Sequence, residues 1–246
     1  MKNKKVVIVM PAYFAEKTLE KTYRDIPLEY RKNILVVDDA SNDKTVEVAK
    51  KLGLKTIVHK NNLGYGGNQK TCYKEALKMG ADIVVMLHPD FQYDARMIPA
   101  LVRPIEIGWL DFMMGNRIRS RKESLGGGMP IYKYLFNRSL TILENILLGQ
   151  NLGEFHSGFR AYSSKVLKTL PFDKFSNDFV FDQQFIVSAL NAGFKIAEVP
   201  VQVRYFTGAS SISFKRSVTY GLGAFFTVFQ YLLKKWGLTN PKIFNK

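Results

Sequence analysis

Cysteine and acidic residues are scarce in this chain, and each scarcity narrows its function. The single cysteine, Cys72, excludes an internal disulfide and a cysteine-based zinc site. It sits in the helical stretch "KTCYKEAL", where a small buried side chain is expected. Asp and Glu number 21 against 36 Lys and Arg, a net charge of +15. Such an excess implies an anionic partner: nucleic acid, a phosphorylated ligand or an acidic membrane face. Nucleic acid is disfavoured, because no recognition motif is present and the basic stretch "IRSRKESLGGGMP" lacks aromatic platforms. The apolar run from Val6 to Met10 stops at Pro11, too short for a signal peptide. A long apolar span is also wanting. Charge is absent between Arg216 and Lys234, but Ser217, Thr219, Gly221, Gly223, Thr227 and Gln230 interrupt that stretch. Its length is at the short edge for a bilayer, so an interfacial or core helix is the better reading.

What is present is a regular alternation. "KVVIVM", "NILVVDD", "KTIVH" and "DIVVML" are continuous apolar runs, as buried parallel strands are. Helical patterns separate them: "KTLEKTYRDI", "DKTVEVAKKLG" ending at Gly53, and "NQKTCYKEALKMG" ending at Gly80. Repeated βα units predict a mostly parallel sheet flanked by helices, in a single α/β domain. The second half is less regular. It offers a short strand at "DFMMGNR", a basic glycine-rich loop hinged at Gly126–Gly128, and apolar helical spacing over "YKYLFNRSLTILENILLG". A helix at "DFVFDQQFIVSALNAGF", a strand at "KIAEVPVQVRY" and a last helix over residues 214–236 follow.

Ligands of such sheets bind beyond the carboxyl ends of the strands. Asp38 and Asp39 stand at one such end, where paired carboxylates are costly unless something uses them. Asp43 caps the following helix. "NNLGYGGNQK" offers Gly66 and Gly67 for close backbone approach and Lys70 near a helix start, without the spacing of a P-loop. "VVMLHPDFQYD" sets His88, Asp90 and Gln92 at alternating positions, one side of an extended chain and a candidate divalent-cation site.

In order and spacing these pieces resemble the family 2 glycosyltransferases of GT-A fold. "PAYFAEKTL", "VVDDASNDKT", "NNLGYGGNQKT", "HPDFQYD", "GNR", "EFHSGFRAYS" and "AEVPVQVRYFTGASS" match in turn, over roughly residues 5–215. The resemblance is closest to the polyprenyl-phosphate sugar transferases, the dolichyl-phosphate mannose synthase-like enzymes. It implies a nucleotide-diphospho-sugar transferase domain over residues 1–215, with residues 216–246 as an amphipathic helix and tail. It implies a metal-dependent, inverting transfer of a hexose. Pro11, Tyr13, Glu16, Asp38, Asp39, Gly66, Gly67 and Lys70 would bind the nucleotide sugar, and His88, Asp90 and Gln92 would hold Mg²⁺ or Mn²⁺.

Three departures from the family pattern stand out. His88-Pro89-Asp90 replaces the usual acidic pair, and a neutral imidazole suits Mn²⁺ better than Mg²⁺, or contacts a phosphate instead. Phe14-Ala15 stands where the family carries Asn and Glu. Glu154 replaces Asp before "SGFR", with His156 inserted. For the acceptor, Arg117, Arg119, His156, Arg160 and Arg204 are the candidates to hold a phosphate, since guanidinium forks suit its oxygens. The catalytic set is then Asp90, Arg117, Glu154 and Asp182, with Glu154 or Asp182 as general base should the acceptor be a sugar hydroxyl. A lipid-linked phosphate acceptor implies a cytoplasmic enzyme, peripheral on the inner face of the cell membrane. The alternatives are an inactive nucleotide-sugar-binding protein and a basic nucleic-acid-binding protein.

Overall fold

The computed structural model describes residues 4–118, 120–126, 129–204 and 214–245. The described residues form seven strands: β1 (Val6–Ala12), β2 (Ile34–Asp38), β3 (Lys55–Val58), β4 (Ile83–Met86), β5 (Phe112–Asn116), β6 (Arg160–Ser163) and β7 (Ile196–Pro200). Between and after them run α1 (Leu19–Asp25), α2 (Thr45–Lys51), α3 (Tyr65–Lys78), α4 (Ile98–Glu106) and α5 (Arg121–Gly126). The remaining helices are α6 (Ile131–Leu148), α7 (Ser164–Thr169), α8 (Val180–Asn191) and α9 (Phe214–Lys235).

The strands make one sheet in the order β3-β2-β1-β4-β6-β5-β7. All neighbours are parallel except β6, which runs against both β4 and β5. The mostly parallel α/β sheet expected from the βα repeats is therefore present. Its inner strands are apolar throughout because the period of two sends alternate residues into two different cores. Val7, Val9, Leu35, Val37, Val84 and Met86 enter one core, while Ile8, Met10, Ile34, Val36, Ile83 and Val85 enter the other. Cys72 is fully buried in the first. Val228, Ile243 and Phe244 join that same core, so α9 and the residues after it pack on the domain.

Two elements differ from expectation. Part of the basic glycine-rich loop is helical, as α5, and of its predicted hinge only Gly126 belongs to the described residues. The last strand is shorter than its apolar pattern: it stops at Pro200, which has no N–H to donate to a ladder. Beyond it, among the described residues, an isolated bridge joins Val203 to Tyr93.

Candidate active site

Loops leaving the carboxyl ends of the first four strands surround a cleft of about 910 Å³. Residues 11–18 line it from the last two residues of β1 onward, Asp39 and Asp43 after β2, Asn62 and Gly64 after β3, and His88, Pro89 and Asp90 after β4. Among the described residues three that are not glycine adopt left-handed backbone, Phe14 (φ 52°), Ala40 (φ 61°) and Phe91 (φ 61°), one in each of three of these loops. Such strain costs about 1–3 kcal/mol per residue and persists only where neighbours enforce it. Here Ser41 Oγ accepts from the Phe14 N–H at 3.0 Å, and Thr22 Oγ1 from the Phe91 N–H at 3.1 Å.

Asp39 organises the loop after β3. Its Oδ1 accepts from the Leu63 N–H at 2.9 Å and lies 2.7 Å from His59 Nδ1, while Oδ2 accepts from the Gly64 N–H at 3.0 Å. Of about four acceptor sites on a carboxylate, one is left for a ligand donor. Asp38, expected beside it, takes no part in lining the cleft. Successive strand residues point to opposite sides, and each Asp38 oxygen accepts from Ser41, at 2.9 Å from its N–H and 2.6 Å from its hydroxyl. Glu16 lines the cleft and accepts from the Lys44 N–H at 3.0 Å. Pro11 lines it too, and Tyr13 and Phe14 add exposed rings with centroids 4.3 Å apart.

The extended alternation expected of His88, Asp90 and Gln92 is not what forms. β4 ends at Met86, and a turn follows in which Asp90 Oδ1 accepts from the Gln92 N–H at 3.0 Å and Phe91 is left-handed. A turn of this kind breaks the period of two. His88 and Asp90 therefore line the cleft, while Gln92 is buried outside its lining. Burial pushes the Asp90 carboxyl up, opposed by His88 and the Gln92 N–H. Burial likewise pushes His88 down, keeping its imidazole neutral.

Tyr65 fixes which nitrogen of His88 carries the proton. Its hydroxyl donates to Asp182 Oδ2 at 2.7 Å and lies 3.2 Å from His88 Nε2. A phenol has one proton; with that proton on Asp182, His88 must donate from Nε2, and Nδ1 keeps the lone pair. Among the described residues no cluster of three or more His, Cys, Asp or Glu makes a complete metal site. One carboxylate and one neutral imidazole are instead a partial donor set, of the kind that substrate phosphates and water complete around Mg²⁺ or Mn²⁺.

The glycine-rich stretch serves packing. The N–H groups of Gly66 and Gly67 both donate to Asn177 O, at 2.7 and 3.4 Å. A Cβ on Gly66 would collide with Ser176 O and lie 2.8 Å from Phe181 Cβ. Lys70 Nζ donates to Phe175 O at 2.5 Å and Asn177 Oδ1 at 2.7 Å. The loop at 175–177 thus takes up the donors expected for a ligand, and none of the three residues lines the cleft.

Most of the expected acceptor and base residues are engaged inside the protein. Arg117 grips the fully buried Glu154: Nε donates to Oε1 at 2.8 Å, the backbone N–H to Oε2 at 2.9 Å, and Nη2 to Oε1 as well. Burial alone would raise Glu154, but Arg117 holds its carboxyl below the usual range, which makes it a poor base. Arg160 is fully buried, paired with Asp182 Oδ1 at 3.2 Å and donating to Ser157 O at 2.6 Å and Phe155 O at 3.3 Å. Gln69 and Tyr65 take further acceptor sites of Asp182. Arg204 pairs with Asp25 at 2.8 Å and stacks 4.2 Å from the Phe91 ring, bracing that turn. His156 is buried, with Nδ1 2.9 Å from the Tyr220 hydroxyl and Nε2 3.3 Å from Glu144 Oε2. Arg117, Glu154, His156, Arg160, Asp182 and Arg204 do not line the cleft, and Arg119 lies outside the described residues.

Residues 7–170 match the family described as Glycosyl transferase family 2. The chain belongs to that family. The glycosyltransferase is 32% identical over 200 residues to an uncharacterized protein of Methanocaldococcus jannaschii, covering 81% of this chain and 82% of the other. It is 28% identical over 222 residues to the UDP-N-acetylglucosamine–dolichyl-phosphate N-acetylglucosaminyltransferase of Methanococcus voltae, covering 83% and 88%. Among solved structures, glucosyl-3-phosphoglycerate synthase from Mycobacterium tuberculosis, in complex with Mg²⁺ and uridine diphosphate, has a TM-score of 0.69 at 19% identity. That match covers 97% of this chain and 81% of the other. The same enzyme with Mn²⁺, UDP-glucose and phosphoglyceric acid matches with a TM-score of 0.69 at 19% identity, covering 97% and 82%. The fold is GT-A, and the chain is a glycosyltransferase.

Sequence reasoning missed several residues of the glycosyltransferase's cleft. Tyr65 lies inside the glycine-rich stretch, whose pattern points to its glycines instead. Asn68 lines the cleft and ties α3 to two strand ends, donating to Val37 O at 3.0 Å and Ala12 O at 3.4 Å. Asp178, Phe179 and Arg216 complete the lining from distant parts of the chain, and no local pattern announces them.

Proposed function

We propose that the glycosyltransferase moves a sugar, with inversion, from a nucleotide-diphosphate sugar to a lipid-linked phosphate, assisted by Mg²⁺ or Mn²⁺. The observation that carries this reading is the joint exposure of Asp39 and of His88 with Asp90 to one cleft at the strand ends. Tyr13 and Phe14 offer flat faces to a base, and the remaining acceptor site of Asp39 takes a ribose or base donor. His88 and Asp90 would hold the cation, which neutralises the leaving diphosphate as the glycosidic bond breaks.

The acceptor follows from the engaged bases. Glu154 and Asp182, the bases expected for a hydroxyl acceptor, both sit in buried ion pairs, whereas a phosphate arrives anionic and needs no base. One in-line displacement by that phosphate inverts the anomeric carbon. The relative from Methanococcus voltae, named for transfer to dolichyl phosphate, supports the same acceptor class. Such an acceptor implies work at a membrane surface.

The test is transfer from a panel of nucleotide sugars to a short-chain polyprenyl phosphate and to the matching polyprenol, with Mg²⁺ or Mn²⁺. The phosphate should be glycosylated, with inverted configuration by NMR, and the alcohol should not. Equal turnover of the alcohol would overturn the acceptor assignment, and full turnover in chelator would overturn the cation.

A further inference from the structure

Helix α6 is built inside out. Its exposed positions are Ile131, Leu135, Phe136, Ile142, Leu143 and Ile146, with only Tyr132 and Ser139 carrying a polar atom among them. The polar residues face inward instead. Asn137 donates to Glu154 Oε1 at 3.2 Å, Arg138 to Gly153 O at 2.7 Å and Asn145 to Leu152 O at 2.7 Å, and Glu144 is buried. A surface helix ordinarily turns its apolar stripe to the core. Leaving Ile146 at 72% and Ile142 at 52% exposure keeps apolar area in water that association would remove.

Helix α9 extends this surface. A Cβ on Gly221 would stand 2.6 Å from Phe136 Cζ, so the helices meet there at a distance that glycine permits. Beside that contact α9 presents Leu222, Phe225, Phe226 and Phe229, with Thr219 the one exposed polar residue between Val218 and Phe229. Its inward side carries Ala224, Thr227 and Val228, so the aromatic face does not pack on the sheet. Contiguous apolar surface of this kind marks an interaction site. Neither helix is long and apolar enough to cross a membrane. An apolar helix face with basic flanks lies in the plane of the interface.

Charge selects the occupant. Arg121 and Lys122 on α5, which packs against α6, and Arg216 and Lys235 at the two ends of α9 are all exposed. Two copies each carrying +15 repel one another, whereas acidic headgroups attract both the rim and the whole chain. We propose that α6 and α9 form one platform that seats the enzyme on an anionic bilayer. Arg216 also lines the cleft, so the platform ends where the sugar is transferred. The proposal rests on the lipid-linked acceptor reading for its purpose, but not for its measurement.

Flotation of the full chain with phosphatidylcholine vesicles, with and without phosphatidylglycerol, tests it. The protein should float with the anionic vesicles at low salt and be released by salt. Ile142→Glu and Phe226→Glu should each weaken partitioning by about tenfold or more, from loss of one buried apolar side chain, with the unfolding midpoint and donor binding unchanged. Failure of the native chain to float, or variants that float like it, would overturn the proposal. So would a concentration-dependent dimer in light scattering that both variants abolish, which would assign the face to a second copy. Transfer to a short-chain acceptor without vesicles reports on the acceptor class separately: its failure beside intact flotation would reject the acceptor and leave the platform standing.

Discussion

The Tyr65 hydroxyl donates to Asp182 at 2.7 Å across 117 residues of chain, and His88 Nε2 lies 3.2 Å from the same oxygen. Burial and the Asp182 charge raise Tyr65 well above the ordinary phenol range, so it stays protonated. Removing this hydroxyl by Tyr65→Phe frees His88 to adopt either tautomer. Loss of an orienting partner typically weakens metal binding by about 10–100-fold. The Mn²⁺ concentration giving half-maximal transfer should rise on that scale while metal-free nucleotide binding holds. An unchanged metal titration would remove His88 from the cation's neighbourhood.

The pair His88 and Asp90 should set the metal preference. His88→Asp replaces a nitrogen donor by oxygen and should shift the preference from Mn²⁺ toward Mg²⁺. Asp90→Ala should abolish metal-dependent turnover in a folded protein. Rates with each cation, beside circular dichroism of both variants, decide the matter.

Arg117 is read as the partner of Glu154 rather than a phosphate ligand. Arg117→Ala leaves a fully buried carboxylate without its cation, a change that typically costs about 3–5 kcal/mol. Combining Arg117→Met with Glu154→Gln should recover much of that loss. Urea unfolding of the three proteins measures both effects, and a stable Arg117→Ala variant that loses only acceptor binding would restore the phosphate role.

Glu144 and His156 should shape the pH dependence of stability. Burial pushes Glu144 from 4.5 up to about 9 and His156 from 6.5 down to about 4. Folded Glu144 keeps a proton that the unfolded chain releases, so stability falls as pH rises across that window. His156 acts oppositely: the unfolded chain takes up a proton that the folded protein refuses, so stability falls as pH drops from 6.5 toward about 4. The two slopes cancel in the overlap, leaving a decline on the alkaline side. Glu144→Gln should flatten the difference in urea midpoint between about pH 6 and about pH 8.5.

Gly66→Ala tests the packing role of the glycine-rich stretch. Its methyl would strike Ser176 O and Phe181, and overpacking of this kind costs about 1–3 kcal/mol. Thermal unfolding should register the loss whether or not a nucleotide sugar is present.

The order of strands and helices was legible in the residues, because periods of two and 3.6 are written locally and the sheet follows from repeated βα units. The strand-end positions of Asp39 and Asp90 were legible for the same reason. Which carboxylates face the cleft was not. Asp38 and Asp39 are neighbours in the chain, and only the pleat and the Ser41 hydroxyl separate their roles. Lys70 and Asp182 found partners far along the chain, and hydrogen bonds across more than a hundred residues leave no local pattern. Helix α6 makes the point most plainly. Its apolar spacing declares that one face is greasy, and that spacing is identical whether the face looks inward or out. Only the packing of Asn137, Arg138 and Asn145 against the 152–154 segment turned the polar side to the protein and left the apolar side to meet something else.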